Sequence, residues 1–113
     1  DVAVEALKAA GFKAKKFKWS VNLTGRSKVS VQISTEKVYQ EFPARSVPAD
    51  IHGILMPVAS LPDTLAGKLL AYRDRDRRPS KRQKDLADIA RLVEAHPKLK
   101  KLLPADIVKK ITE

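Results

Sequence analysis

Five side chains of this sequence are placed to do chemistry: Lys68, Arg75, Lys84, Asp85 and Asp88. All fall within "GKLLAYRDRDRRPSKRQKDLADI", from Gly67 to Ile89. Lysine and arginine heads brought together bind phosphates, and carboxylates beside them hold those heads or compete for them. The stretch therefore admits three chemistries: a patch for a polyanion, a knot of structural ion pairs, or one wall of an active site.

Spacing narrows these options without choosing one. Leu61, Leu65, Leu69 and Tyr72 recur at i, i+4, i+8 and i+11, a stripe that should face a core on a helix from Leu61 to about Arg75. Lys68 falls at the edge of that stripe, and Arg75 follows seven residues on. Both side chains either lay their methylenes on apolar surface with the charge in water, or point into a cleft and hold an anion. On the next helix Leu86, Ile89, Ala90 and Val93 form a core stripe. Asp85, Asp88 and Leu92 make a second line beside it. The leucine implies that this line is partly shielded, so the two carboxylates need partners. Lys68, Arg75, Lys84 and Arg91 are available. Exposed pairs of this kind contribute about 0–1 kcal/mol; breaking a buried one costs about 3–5 kcal/mol. Lys81, Arg82 and Lys84 also crowd the first turn of the second helix, where the macrodipole disfavours cations and a bound phosphate would offset them.

Charge and composition set the wider frame. The 113 residues carry 23 Lys and Arg against 13 Asp and Glu, a net charge of +10, which favours polyanionic partners such as nucleotides, RNA or an acidic protein. Hydrophobic residues at 43% can supply a core. No apolar run is long enough to span a bilayer, so no membrane is expected. The absence of cysteine removes disulfides and thiolate metal sites and suits a cytoplasmic protein. His52 and His96 lie far apart, so no metal site is expected from them. The sequence opens at Asp1 and not at methionine, which makes a piece of a longer chain an expectation.

The elements that must position the charged residues read as one α+β domain over residues 1–113. A sheet part covers about 1–58 and a helical part about 59–113. Val2, Ala3, Leu7 and Ala10 predict a helix from about Asp1 to Ala10, stopped by Gly11. Phe17, Trp19 and Val21 alternate with polar residues, as do Val29, Val31 and Ile33. That pattern predicts a β-hairpin turned at Gly25, with Trp19 in the core and Lys16 and Lys18 on the solvated face. The opposite reading, a basic and aromatic surface that stacks on bases, stays open beside it. "EFPARSVPADIHG" reads as a loop or edge strand, and "ILMPVAS" as one more short strand. Ser60 with Asp63, and Ser80 with Gln83, read as capping boxes opening the two long helices. His96-Pro97 ends the second, and Pro104 starts a last one. The fold expected is a small, mainly antiparallel sheet with an N-terminal helix and a C-terminal helical half.

"VASLPDTLAGKLLAYRDRDRRPSKRQKDLADIARL" resembles the C-terminal half of the AbiEii/AbiGii-type nucleotidyltransferases. These are relatives of the DNA polymerase β-like fold that include toxins of toxin–antitoxin pairs. In that family a "hxxhhxxKhxA" helix is followed by an arginine and a "KDhxDh" helix; the matching positions are Leu61, Lys68, Ala71, Arg75, Lys84, Asp85 and Asp88. The resemblance implies that Lys68 and Lys84 contact nucleotide phosphates and Arg75 supports them. It makes Asp85 the motif carboxylate near the reacting groups, with Lys68 acting beside it, and leaves Asp88 to orient the helix or pair with a cation. The implied chemistry is transfer of a nucleotidyl group from a nucleoside triphosphate to a hydroxyl, with Mg²⁺ as cofactor.

The sequence departs from that pattern where the metal would bind. The family's Gly-Ser or Gly-Gly turn followed by Asp-x-Asp is missing from these residues. The strand expected to bring a third carboxylate, "KVSVQIST", carries Gln32, and an amide brings no charge to Mg²⁺. A catalytically incomplete nucleotidyltransferase-like domain is therefore expected. A non-enzymatic basic module binding nucleic acid or an acidic antitoxin-like protein is the other reading. On the first, the ammonium of Lys68 and the carboxylate of Asp85 must converge on one hollow.

Overall fold

The computed structural model describes residues 2–112 and divides into two compact units, one ending at Glu41 and one beginning at Phe42. The architecture is α+β: an N-terminal helix, two small antiparallel sheets and a helical C-terminal half. No helix among the described residues is long and apolar enough to cross a membrane.

The first unit opens with α1, Val2–Ala9. Asp1, where the helix was expected to start, lies outside the described residues. Gly11 at φ +99° ends the helix in the left-handed region that a side chain would disfavour. Three antiparallel strands follow in the order β1 (Lys13–Lys16), β2 (Ser20–Thr24) and β3 (Ser30–Ser34). The β2–β3 hairpin is the one the alternation predicts, with Val21 opposite Ile33 and Thr24 opposite Ser30. Val4, Val21 and Leu23 form the buried core of this unit, with Leu7, Phe12, Val31 and Ile33 packed against it. Gly25 serves the turn through close packing: a Cβ there would come within 3.1 Å of the Phe12 ring.

The alternation misleads at its first half. Lys13–Lys16 pairs with β2, so Phe17, Lys18 and Trp19 form the connecting turn instead of extending a strand. The Phe17 N–H donates to the Ser20 carbonyl at 2.8 Å, and the Thr35 N–H to the Trp19 carbonyl at 2.8 Å. A period-2 pattern that runs through a turn no longer marks one face. Trp19 is accordingly 55% exposed and not in the core. Gln32 lies exposed on β3, opposite Asn22.

The second unit begins with the β4–β5 hairpin, Val47–Ile51 and Ile54–Val58. His52 (φ 52°) and Gly53 (φ 84°) both take positive φ, as a two-residue hairpin turn of type I′ requires. Asp50 Oδ1 accepts the Gly53 N–H at 2.7 Å and fixes it. Helices α2 (Leu61–Arg73), α3 (Pro79–Ala95) and α4 (Ala105–Thr112) follow, with a short 3₁₀ segment, Pro97–Leu102, between the last two. Their core is Leu65, Tyr72, Ile89, Val93, Leu99 and Ile107, each buried. Leu61 stands 41% exposed at the head of its stripe, because the first turn of α2 lies beyond this cluster.

Candidate anion site between the second and third helices

Local rules fix how α2 and α3 present their charges. Ser60 caps α2: its Oγ accepts the Asp63 N–H at 3.2 Å. The Asp63 carboxylate leaves the cap to Arg45, which donates to it through Nε at 2.9 Å and an η nitrogen at 3.1 Å. This ion pair draws the Asp63 carboxyl below its ordinary range. The second capping box does not form. Helix α3 starts at Pro79 with Arg78 as the flanking residue and no side-chain cap, so Ser80 lies inside the first turn. Proline at the first position suits a start there because its missing N–H would have no partner anyway. Arg82, one of the crowded cations, donates from Nε to the Tyr72 carbonyl at 2.9 Å and stacks 5.0 Å over the Tyr72 ring. It thereby occupies an acceptor at the end of α2 that the helix leaves open.

The functional side chains meet where α2 crosses α3. Lys68 Nζ lies 2.8 Å from Asp88 Oδ2 and 3.9 Å from Asp85 Oδ1. Asp88 is a hub. It also accepts Lys84 at 3.2 Å and Arg91 at 3.2 Å. The Lys68 hydrogen bond, ahead of Lys84, holds the Asp88 carboxyl below its ordinary range, against the opposing effect of burial. Asp85 is only 1% exposed, and Arg77 takes both its oxygens, through Nε and through an η nitrogen at 3.1 Å. The arrangement thus brings Lys68, Lys84, Asp85 and Asp88 together. Arg75 stands outside it, exposed in the turn after α2. Arg77 was missed because its partner sits eight residues on, across the turn and the Pro79 start, where helical spacing gives no guide.

An open hollow of about 340 Å³ adjoins the cluster, lined by Lys68, Asp88 and Arg91 with the apolar walls Leu92 and Ala95, and by His96. Asp88, and not Asp85, shares the hollow with Lys68. Around these two carboxylates stand four cations, Lys68, Arg77, Lys84 and Arg91, so the cluster carries 4 − 2 = +2.

Those positions are the motif lysines and aspartates in their order along the chain, and the likeness extends beyond them. This chain belongs to the AbiEii toxin family. The family model described as "Nucleotidyl transferase AbiEii toxin, Type IV TA system" matches residues 2–112, both units together. No curated protein and no solved structure matches the chain.

Metal ions serve nucleotidyl transfer by positioning and neutralising phosphates, and the two carboxylates of this cluster do not fit one. Arg77 holds both oxygens of Asp85, and three cations share Asp88. Among the described residues no group of three or more histidines or carboxylates is placed to hold a metal ion.

Proposed function

We propose that the second unit of this AbiEii chain is the phosphate-binding wall of a nucleotidyltransferase. Lys68 and Lys84 receive the triphosphate of a nucleotide, and Asp88 keeps their ammonium groups together until the phosphates replace it. Asp85 acts as a positioning residue: pinned by Arg77, it sets the start of α3 and thereby Lys84. Arg75, exposed in the turn after α2 and outside the lining of the hollow, takes no direct part in this reading. The observation that carries this reading is an ion-pair cluster with two surplus positive charges, of which Lys68, Arg91 and Asp88 line an open hollow. Cations preassembled around fewer carboxylates favour an incoming anion with two or more negative charges.

On the same reading these residues bind nucleotide but do not by themselves transfer it, since both carboxylates are committed to cations. The test is calorimetric titration of each nucleoside triphosphate, with and without Mg²⁺, into the full chain and its Lys68→Ala variant. Loss of one charged phosphate contact should weaken binding about ten- to a hundredfold. Equal affinities for the two proteins would remove Lys68 from the site. Incorporation of labelled nucleotide into RNA by the chain alone would overturn the incomplete-catalyst half of the proposal.

A further inference from the structure

The first unit offers a second surface with a different chemistry, at the turn between β1 and β2. Phe17 and Trp19 are 49% and 55% exposed there, although large rings bring the most to a core when buried. Each carries a lysine: Lys15 Nζ stands 5.3 Å from the centre of the Phe17 ring, and Lys18 Nζ 5.2 Å from that of Trp19. Every residue of β1 is exposed. From Ala6 to Thr35 the chain has seven lysines and arginines and not one aspartate or glutamate. Among the described residues, none of Lys13, Lys15, Lys16 and Lys18 has a carboxylate partner.

Lysines along an edge strand can serve simply to block sheet-to-sheet pairing. That accounts for β1 but not for two rings left half exposed at the turn. Alternation of cation and ring over Lys16, Phe17, Lys18 and Trp19 matches a ligand that alternates negative charge with flat apolar surface. A single-stranded nucleic acid has that form: its phosphates meet the lysines and its unpaired bases stack on the rings. A duplex hides its bases inside and offers the rings nothing.

We propose that the β1–β2 turn, with the exposed side of β1, is a binding platform for single-stranded nucleic acid in which bases stack on Phe17 and Trp19. The platform belongs to the first unit and the phosphate-binding cluster to the second, and neither proposal rests on the other.

Trp19 is the only tryptophan, so its fluorescence reports on the platform directly. Titrating the full chain with a short oligouridylate and with oligothymidylate should quench Trp19 emission saturably. The matching duplex and inorganic polyphosphate should leave the emission unchanged. With a dye-labelled oligonucleotide read by anisotropy, Phe17→Ala and Trp19→Ala should each lower affinity about fivefold or more. Trp19→Phe, which keeps a ring, should retain most of it. Replacing Lys15 and Lys18 together by alanine should flatten the slope of log K against log salt by about 1.4. Quenching by polyphosphate, equal affinity for duplex, or unchanged affinity in folded Trp19→Ala would each overturn the proposal.

Discussion

Lys68 on α2 and Asp88 on α3 close a 2.8 Å ion pair across the seam between the two helices, and two further cations share the same carboxylate. One anion among three cations holds them together but also competes with any phosphate that arrives. Removing that anion should therefore strengthen phosphate binding. At about 4 Å and water-like screening, one charge is worth about 1 kcal/mol, or about fivefold in affinity. Asp88→Asn should raise affinity for inorganic tripolyphosphate by about that factor, measured by calorimetry. A fall in affinity would make Asp88 the residue that aims Lys68.

The same pair makes stability depend on acid. The Asp88 carboxyl is held below its ordinary value of 3.8, chiefly by the Lys68 hydrogen bond, and Asp63 and Asp106 are lowered by Arg45 and Arg73 in the same way. A lowered carboxyl contributes stability that is complete above the ordinary value and vanishes as pH falls through the folded one. Urea midpoints should hold from neutral pH down to the ordinary carboxylate range and then drop as the pH falls below it. In Asp88→Asn that acid limb should be shallower. An unchanged limb would mean that Asp88 gains nothing from its partners in the folded chain.

Asp85 and Arg77 form the more buried pair, with Asp85 almost wholly out of water. Asp85→Ala leaves a guanidinium facing a shielded site and should cost about 3–5 kcal/mol by urea denaturation. Arg77→Met should cost less than that, because Lys68 Nζ, 3.9 Å from Oδ1, still faces the buried carboxylate. The double variant Asp85→Leu with Arg77→Met should cost clearly less than the sum of the two single losses. Simple additivity would show that the two groups are not coupled.

The helical half was legible because its signals are local. Helical spacing placed Leu65, Tyr72, Ile89 and Val93 in one core, and Ser60, Pro97 and Pro104 marked the ends of elements. Lys68, Lys84, Asp85 and Asp88 lie together where α2 meets α3, an outcome that their spacing had left open, and it is Asp88 and not the expected Asp85 that shares the hollow with Lys68. What could not be read was choice of partner. Arg77 and Arg75 are chemically identical and two residues apart, and the path of the turn selects between them. Arg45 reaches Asp63 across eighteen residues, a separation no periodicity encodes. The sheet was harder for a related reason. Strand alternation is a statement about faces, and it stops holding wherever an unseen turn intervenes, as at Phe17–Trp19. The run "ILMPVAS" shows the converse: apolar composition predicted a strand correctly, yet Ile54 and Leu55 on β5 are 64% and 74% exposed.

That contrast gives the last prediction. Ile89 and Leu55 are branched aliphatic side chains of equal size, and the sequence gives both an apolar neighbourhood. Ile89 is 0% exposed, enclosed by the α2–α3–α4 core, whereas Leu55 stands largely in water on its hairpin. Truncation at Ile89 loses both transfer energy and close packing, so Ile89→Ala should destabilise by about 2–5 kcal/mol. Leu55→Ala removes little that folding had buried and should stay within about 0.5 kcal/mol of the parent. Paired urea titrations at constant chain concentration give both values. A Leu55→Ala loss as large as that of Ile89→Ala would mean that the hairpin is covered in solution, by another chain or another segment. Dilution would then separate those two cases, since only an intermolecular cover weakens as the protein concentration falls.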